Sequence, residues 1–431
     1  MTGTALLTDK YELTMLSAAL RDGTAGRRST FEVFTRSLPD GRRYGMTAGT
    51  GRFLDAVGGF VFDDGALASV AGFLDDATCE FLRGFRFGGD IDGYPEGELY
   101  FPGSPVLAVT GTFAECVLME TLALSVYNHD CAIASAAARM VSAADGRPLI
   151  EMGSRRTHEQ AAVAAARAAY IAGFAGTSNL EAHRRYGIPA LGTSAHAFTM
   201  LHTTPGADTD EWELAAFRAQ VDALGVQTTL LVDTYDVRRG VANAIAAAGP
   251  HLGAVRIDSG DLAILTREVR RQLDSLGARD TKIVVSGDLD EYGIAALRAD
   301  PVDSFGVGTS VVTGSGAPTA GMVYKLVEVD DIAVQKRSSR KESHGGHKAA
   351  LRTMRPGGAI VEEIVHRLDA PPEITEQHRM ITVPLMRHGE SVADTDLAAA
   401  RDRAAAGLKS LPWEGLALSH GEPAIPTRRV P

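Results

Sequence analysis

Cysteine is scarce in this chain: three in 431 residues, Cys79, Cys116 and Cys131, far apart and without Cys-x-x-Cys spacing. Three is an odd number, and the spacing argues against both a disulfide framework and a cysteine-built zinc site. It fits a reducing cytoplasm, which is the expected compartment. No apolar run reaches the ~18 residues that span a bilayer, so no membrane partner is expected. The opening MTGTALLTDKYELTML lacks the basic end and continuous apolar stretch of a secretory signal. Positive charge is not in excess either. Lys and Arg total 43 against 54 Asp and Glu, a net charge of −11, which disfavours a nucleic-acid partner because phosphate backbones call for a basic face. Repeats of the solenoid kind are absent. What remains is 45% hydrophobic and 23% charged, the make-up of a globular protein with sizeable cores, and the length suits two or three domains. An acidic chain that binds phosphates must concentrate its cations locally.

Three regions differ in pattern. Residues 1–130 mix apolar segments with turns such as Leu38-Pro-Asp-Gly-Arg and Phe101-Pro-Gly-Ser-Pro. They read as an α+β domain with helices near 9–20, 49–58 and 112–127. The Ala-rich run 132–144 is helical and leads into the second region, 131–325. Here short apolar runs ending in polar residues alternate with helix formers, at 148–154, 171–178, 189–194, 229–233, 254–261, 283–288 and 304–309. Such alternation predicts parallel strands joined by right-handed crossovers. Seven units suggest an α/β fold built on an irregular or incomplete βα barrel, with an open doubly wound sheet as the alternative. Residues 326–431 lose the rhythm. They hold a basic segment, Lys336–Lys341, strand-like pieces at 359–365 and 380–384, and a terminal helix with a loose tail, expected to pack on the N-terminal domain.

Active sites of βα barrels lie at the carboxyl ends of the strands. Those positions carry Glu151 with Arg155 and Arg156, Thr177 with Ser178, and Thr193 with His196. The later ones carry Asp233, Asp258 with Asp261, Asp288, and Gly306-Val-Gly308-Thr309. Carboxylates accept hydrogen bonds from ribose hydroxyls and can hold Mg²⁺ beside substrate phosphates. Arginines grip carboxylates and phosphates with a bidentate fork, and glycines let backbone N–H groups approach a phosphate. Plainer readings stand beside each. The glycine pair could mark only a tight turn, and the aspartates of Ser259-Gly-Asp and Ser286-Gly-Asp could each be a helix N-cap. A lone His196 could be structural, Lys336–Lys341 a solvated face instead of a cationic lid, and His344 with His347 a basic loop, since further metal ligands are lacking nearby.

Several of these segments together resemble the nicotinate phosphoribosyltransferase family. They are Thr8-Asp-Lys-Tyr-Glu-Leu-Thr-Met, Glu151-Met-Gly-Ser-Arg-Arg, Gly176-Thr-Ser-Asn, Gly192-Thr-Ser-Ala-His-Ala-Phe, Val232-Asp-Thr-Tyr-Asp, Val255-Arg-Ile-Asp-Ser-Gly-Asp-Leu and Gly306-Val-Gly-Thr-Ser-Val-Val-Thr. The resemblance covers roughly residues 6–350. It implies an irregular barrel plus an α/β sandwich from the N- and C-terminal parts, and a homodimer with shared active sites. It implies that Tyr11 stacks on the pyridine from the partner subunit, with Met152 where relatives often place an aromatic ring. Thr193 and Arg256 would lie near nicotinate. Asp233, Asp258, Asp288, Gly308 and Thr309 would surround the phosphoribosyl group, and His196 would be phosphorylated by ATP. Ser178 falls where nicotinamide-using relatives carry an aspartate, and a neutral residue beside Arg155 and Arg256 favours the acid. The implied reaction is phosphoribosyl transfer from phosphoribosyl pyrophosphate to nicotinate, with ATP as co-substrate and Mg²⁺ as cofactor, its ligands unassigned. The competing readings are a nicotinamide or quinolinate phosphoribosyltransferase, and a non-catalytic sensor of phosphoribosyl ligands. A barrel isomerase or aldolase is a third, but no lysine stands at a strand end to form a Schiff base.

Overall fold

The computed structural model describes residues 3–336 and 344–430. The chain divides into two compact units, Met1–Ser135 with Ala317–Pro431, and Ala136–Gly316. Residues 317–325 therefore fall in the first unit, because Met322–Val329 pairs antiparallel with Arg28–Thr35.

In the first unit, Lys10–Asp22 forms a helix that begins after an extended Asp9 and stops at Gly23, whose φ of 81° is open to glycine. It buries Leu13, Leu16 and Ala19, spaced for one helical face. A helix over 112–127 was expected as one piece. Instead a capping box, Thr112 with Glu115, starts the short helix Phe113–Val117. A second helix, Glu120–Ala144, then absorbs the Ala-rich run. A seven-stranded sheet runs in the order Ile332–Ala333, Met322–Val329, Arg28–Thr35, Leu107–Thr112, Asp90–Gly93, Val383–Arg387, Glu390–Ser391. The stretch 380–384, expected as one strand, is shared between two sheets: His378–Met380 belongs to a four-stranded sheet with Lys348–Met354, Ile360–Arg367 and Thr427–Arg429. The tail is thus not loose. Its Thr427–Arg429 pairs in parallel with Ile360–Arg367.

A buried ionic cluster ties this unit together. The Arg352 guanidinium, 0% exposed, donates to Glu363 (2.8 Å) and Glu98 (2.5 Å), and Arg379 donates to Glu98 at 2.7 Å. Burial pushes the Glu98 carboxyl up, but the two arginines more than offset this and hold it below the usual carboxylate range. Removing Arg352 leaves two buried carboxylates short of their cation. Arg352→Ala is expected to cost about 3–5 kcal/mol, read as a lower urea midpoint.

The second unit contains six parallel strands in the order Gly176–Thr177, Leu149–Glu151, Ser304–Val307, Lys282–Val285, Ala254–Ile257, Thr229–Leu231. Six of the seven apolar runs become strands. The seventh, 189–194, yields a single parallel bridge, Thr177↔Ala190, in which the Thr177 N–H donates to the Pro189 carbonyl (3.0 Å) and the Leu191 N–H to the Thr177 carbonyl (2.8 Å). The first strand and the last in sequence, Leu149–Glu151 and Ser304–Val307, pair with each other. That is barrel order and not the open doubly wound alternative. The ring is interrupted between Ala190 and Thr229, where the chain forms the helices His196–Leu201 and Thr209–Leu224. Among the described residues, no helix is long and apolar enough to cross a membrane.

Candidate active site

Each strand of the second unit delivers its polar residues at its carboxyl end. Ala254–Ile257 presents Arg256 and, one residue past its end, Asp258. Arg256 makes three contacts: Nε donates to Ser286 Oγ (2.8 Å), one terminal nitrogen to Thr193 Oγ1 (3.2 Å), and the other to Asp258 Oδ1 (2.6 Å). Ser286 Oγ also donates to Asp258 Oδ1. One guanidinium thus joins residues from three apolar runs. Half-burial works against ionisation of Asp258, but the bonds from Ser286 and Arg256, the Arg256 charge and nearby His196 outweigh it, holding the carboxyl below its ordinary range.

Asp233, after Thr229–Leu231, grips the next loop. Its Oδ2 accepts from the Asp258 backbone N–H (2.9 Å) and from Ser259 Oγ (2.7 Å). His196 opens the short helix His196–Leu201, and its Nδ1 lies 3.1 Å from Thr234 Oγ1. The imidazole therefore contacts the residue that follows Asp233 and lies within the field of Asp258. The two Ser-Gly-Asp copies differ. Asp261 is a helix N-cap, accepting from Ile264 N–H at 3.2 Å. In the second copy Asp290 does the capping, and Asp288 is left exposed in a left-handed conformation, φ 46°.

The glycine pair also splits. A Cβ on Gly306 would lie 2.7 Å from Met152 Sδ and 3.2 Å from Ser286 Cβ, so this glycine serves packing. A Cβ on Gly308 would meet only the Met152 carbonyl group, its oxygen at 3.5 Å and its carbon at 4.0 Å. Gly308 is the one a ligand can approach, and it precedes the short helix Thr309–Val312. Met152 is partly exposed over this turn, its N–H donating to the Val307 carbonyl at 2.7 Å.

Glu151 is buried. It accepts from Thr177 Oγ1 (2.5 Å) and the Gly153 N–H, and burial raises its pKa despite these bonds. It fastens two strands to each other. Ser178 and Arg155 are exposed on neighbouring loops, and Tyr11 lies in the first unit, 45% exposed on its helix. Ser286 and Thr234 are the residues the sequence reading did not single out, although both sit inside motifs it quoted. Their signal was a hydroxyl within two residues of an aspartate at a strand end. His344 is exposed and His347 partly buried. Among the described residues no three His, Cys, Asp or Glu side chains gather to hold a metal. Of Lys336–Lys341, residues 337–341 lie outside the described residues.

Barrel strand order, together with carboxylates, hydroxyls and a guanidinium converging at the carboxyl ends, defines a βα-barrel protein whose mouth suits a polyhydroxylated anion. Family models sharpen this. The nicotinate phosphoribosyltransferase N-terminal domain matches residues 6–128, and the nicotinate phosphoribosyltransferase family model matches 148–355. The chain belongs to the nicotinate phosphoribosyltransferase family. It is 71% identical to nicotinate phosphoribosyltransferase pncB1 of Mycobacterium tuberculosis over 426 residues, covering 99% of this chain and 95% of that protein. It is 32% identical to nicotinate phosphoribosyltransferase of Bos taurus, over 85% of this chain and 80% of that one. The crystal structure of human nicotinic acid phosphoribosyltransferase superposes with a TM-score of 0.82 at 27% identity, over 96% of each chain.

Proposed function

We propose that this chain transfers the phosphoribosyl group from phosphoribosyl pyrophosphate to nicotinate, giving nicotinate mononucleotide and pyrophosphate in NAD salvage, and that ATP stimulates the reaction through phosphorylation of His196. The observation that carries this reading is the hydrogen-bonded set Arg256–Asp258–Ser286–Thr193, with Asp233 fixing the same turn and His196 beside it.

The C1–oxygen bond to pyrophosphate breaks as the pyridine nitrogen forms a bond to C1, and the electron pair leaves with pyrophosphate. Positive charge develops on the ribosyl carbon. Asp258, kept ionised, and Asp233 accept from the ribose hydroxyls and favour that charge. The Gly308 turn and Thr309 receive phosphate. Arg256 and Arg155 attract the nicotinate carboxylate, and Met152 packs against the ring. Tyr11 of the partner subunit closes the other face in a homodimer, with the antiparallel sheets of the first unit forming the sandwich that presents it.

In the tautomer with Nδ1 as donor to Thr234 Oγ1, His196 Nε2 keeps its lone pair and is the atom that takes the γ-phosphoryl group from ATP. Water later hydrolyses the phosphohistidine to phosphate. Mg²⁺ fits as a companion of the substrate phosphates, since it keeps waters and needs one or two protein carboxylates. Asp288, exposed at its strand end, would hold it, and the ion would neutralise charge on pyrophosphate.

Nicotinate mononucleotide formation, measured with and without ATP, tests the whole reading; turnover with nicotinamide alone overturns the substrate assignment. The choice of acid over amide is carried by Ser178. In Ser178→Asp the added carboxylate repels nicotinate, so KM for nicotinate is expected to rise about tenfold or more while nicotinamide is not penalised. Steady-state kinetics with both pyridines check this.

A further inference from the structure

Glu291 takes no part in the chemistry above, yet it is 1% exposed and both its carboxylate oxygens are engaged. It is the first residue of the helix Glu291–Ala296, shortly after Asp288 in the chain. Its Oε1 accepts from Nε of buried Arg139 at 2.9 Å, and Arg139 also donates to the Tyr292 hydroxyl at 3.2 Å. Its Oε2 accepts from Ser315 Oγ at 2.5 Å. Ser315 closes the turn that follows the short helix Thr309–Val312. Its N–H donates to the Ser310 carbonyl oxygen (2.7 Å), the Gly314 N–H to that of Val311 (3.2 Å), and the Thr313 N–H to that of Thr309 (3.1 Å). The strands before the two loops, Lys282–Val285 and Ser304–Val307, are neighbours in the sheet. One buried carboxylate therefore ties the loop beyond one strand to the loop beyond the next.

A helix this short has no stability of its own. Val311 and Val312 bury one side of it, and Ser315 anchors the turn at its end. Ser315 is held in the left-handed region, φ 47°, and so is Asp288, φ 46°. Residues other than glycine keep that conformation where surrounding contacts impose it. We infer that Glu291 is a positioning residue for the phosphate end of phosphoribosyl pyrophosphate: through Ser315 it holds the Gly308–Thr309 turn against the neighbouring strand end that carries Asp288. This rests on the reading of Gly308 and Thr309 as the groups that receive phosphate. A turn already fixed spares the ligand the cost of ordering it, and the difference appears as affinity. Arg139 and Ser315 approach different oxygens, so the Ser315 bond can be removed while the ion pair stays.

Glu291→Gln would leave Arg139 buried without its counter-charge and mix folding with binding, so the hydroxyl is the group to remove. Glycine adopts the left-handed conformation without strain, and Ser315→Gly in the full-length protein deletes the bond with the backbone relaxed. Calorimetric titration with phosphoribosyl pyrophosphate in the presence of Mg²⁺ is expected to show affinity about tenfold weaker than wild type, the low end of what a hydrogen bond to a charged group holds. KM for nicotinate is expected to stay unchanged, because Arg256 and Thr193 stand outside this tie. Equal affinity for phosphoribosyl pyrophosphate in the two proteins overturns the inference and leaves the transfer reaction standing. A loss shared equally by nicotinate also overturns it, since the bond then supports the barrel as a whole. Wild type that binds phosphoribosyl pyrophosphate more tightly than the variant by this factor, yet makes no nicotinate mononucleotide, supports the role of Glu291 and refutes the transfer reaction. Wild type that does not bind it refutes both.

Discussion

His196→Ala protein is expected to make nicotinate mononucleotide at one rate whether or not ATP is present, and to take up no acid-labile phosphate from γ-labelled ATP. The wild type is expected to gain from ATP and to carry the label. The structure explains why the change is confined to this readout. The imidazole is only partly buried, begins a six-residue helix without a side-chain cap, and has one described hydrogen bond, to Thr234. Losing it removes a single bond between partly exposed groups, about 0.5–1.5 kcal/mol, so the fold survives. Thr234→Val gives the companion result. It keeps the ring but frees Nδ1, so phosphate uptake drops while basal transfer persists. Labelling that persists in His196→Ala would place the phosphoryl acceptor elsewhere.

Asp258→Asn is expected to lower kcat/KM for phosphoribosyl pyrophosphate by about 10²–10³, the loss typical of one preorganised electrostatic group at a reacting centre. Two effects combine. The amide no longer stabilises positive charge on the ribosyl carbon, and Arg256 loses its ionic partner while its bonds to Ser286 and Thr193 remain. A partner left without its charged hydrogen bond costs about 1–3 kcal/mol. The pH sign follows from the depressed carboxyl. A group whose folded pKa lies below its unfolded value of about 3.9 contributes stability above that pH and loses it as pH falls through the folded value. Asp258 is therefore at full effect at neutral pH, and its contribution disappears only in acid. Thermal unfolding of wild type should weaken more steeply with acid than that of Asp258→Asn. Equal acid slopes, or a rate loss below about tenfold, would remove Asp258 from the centre of the site.

How much of this was legible beforehand varies by residue. The strand ends were readable because each apolar run stops abruptly at a polar residue, as at Leu231-Val-Asp233 and Ile257-Asp258. Asp261 and Asp288 look alike in sequence, both following Ser-Gly. Only the backbone separates them, because the helix after Gly260 starts at once and the one after Gly287 starts at Glu291. The seventh run read as a strand because its composition is apolar, but it pairs with Gly176–Thr177 alone, and the chain then turns into helices before the next strand at Thr229, leaving it a single bridge. Glu291 was invisible for the opposite reason. A glutamate in the first turn of a helix reads as solvated, and nothing local announces that Arg139 and Ser315 cover the side chain.

The chain's own order of residues determined which chemistry arrives at each strand tip and the alternation that makes the strands parallel. Period and composition are local properties, and neighbours along the chain suffice to set them. Tertiary structure alone decided that Leu149–Glu151 meets Ser304–Val307, that one guanidinium joins Thr193, Asp258 and Ser286, and that Arg139 meets Glu291 away from water. Apart from the local Arg256–Asp258 bond, those outcomes depend on contacts between residues 30 to 156 positions apart, where burial and hydrogen bonding are settled by packing and no local pattern carries the information.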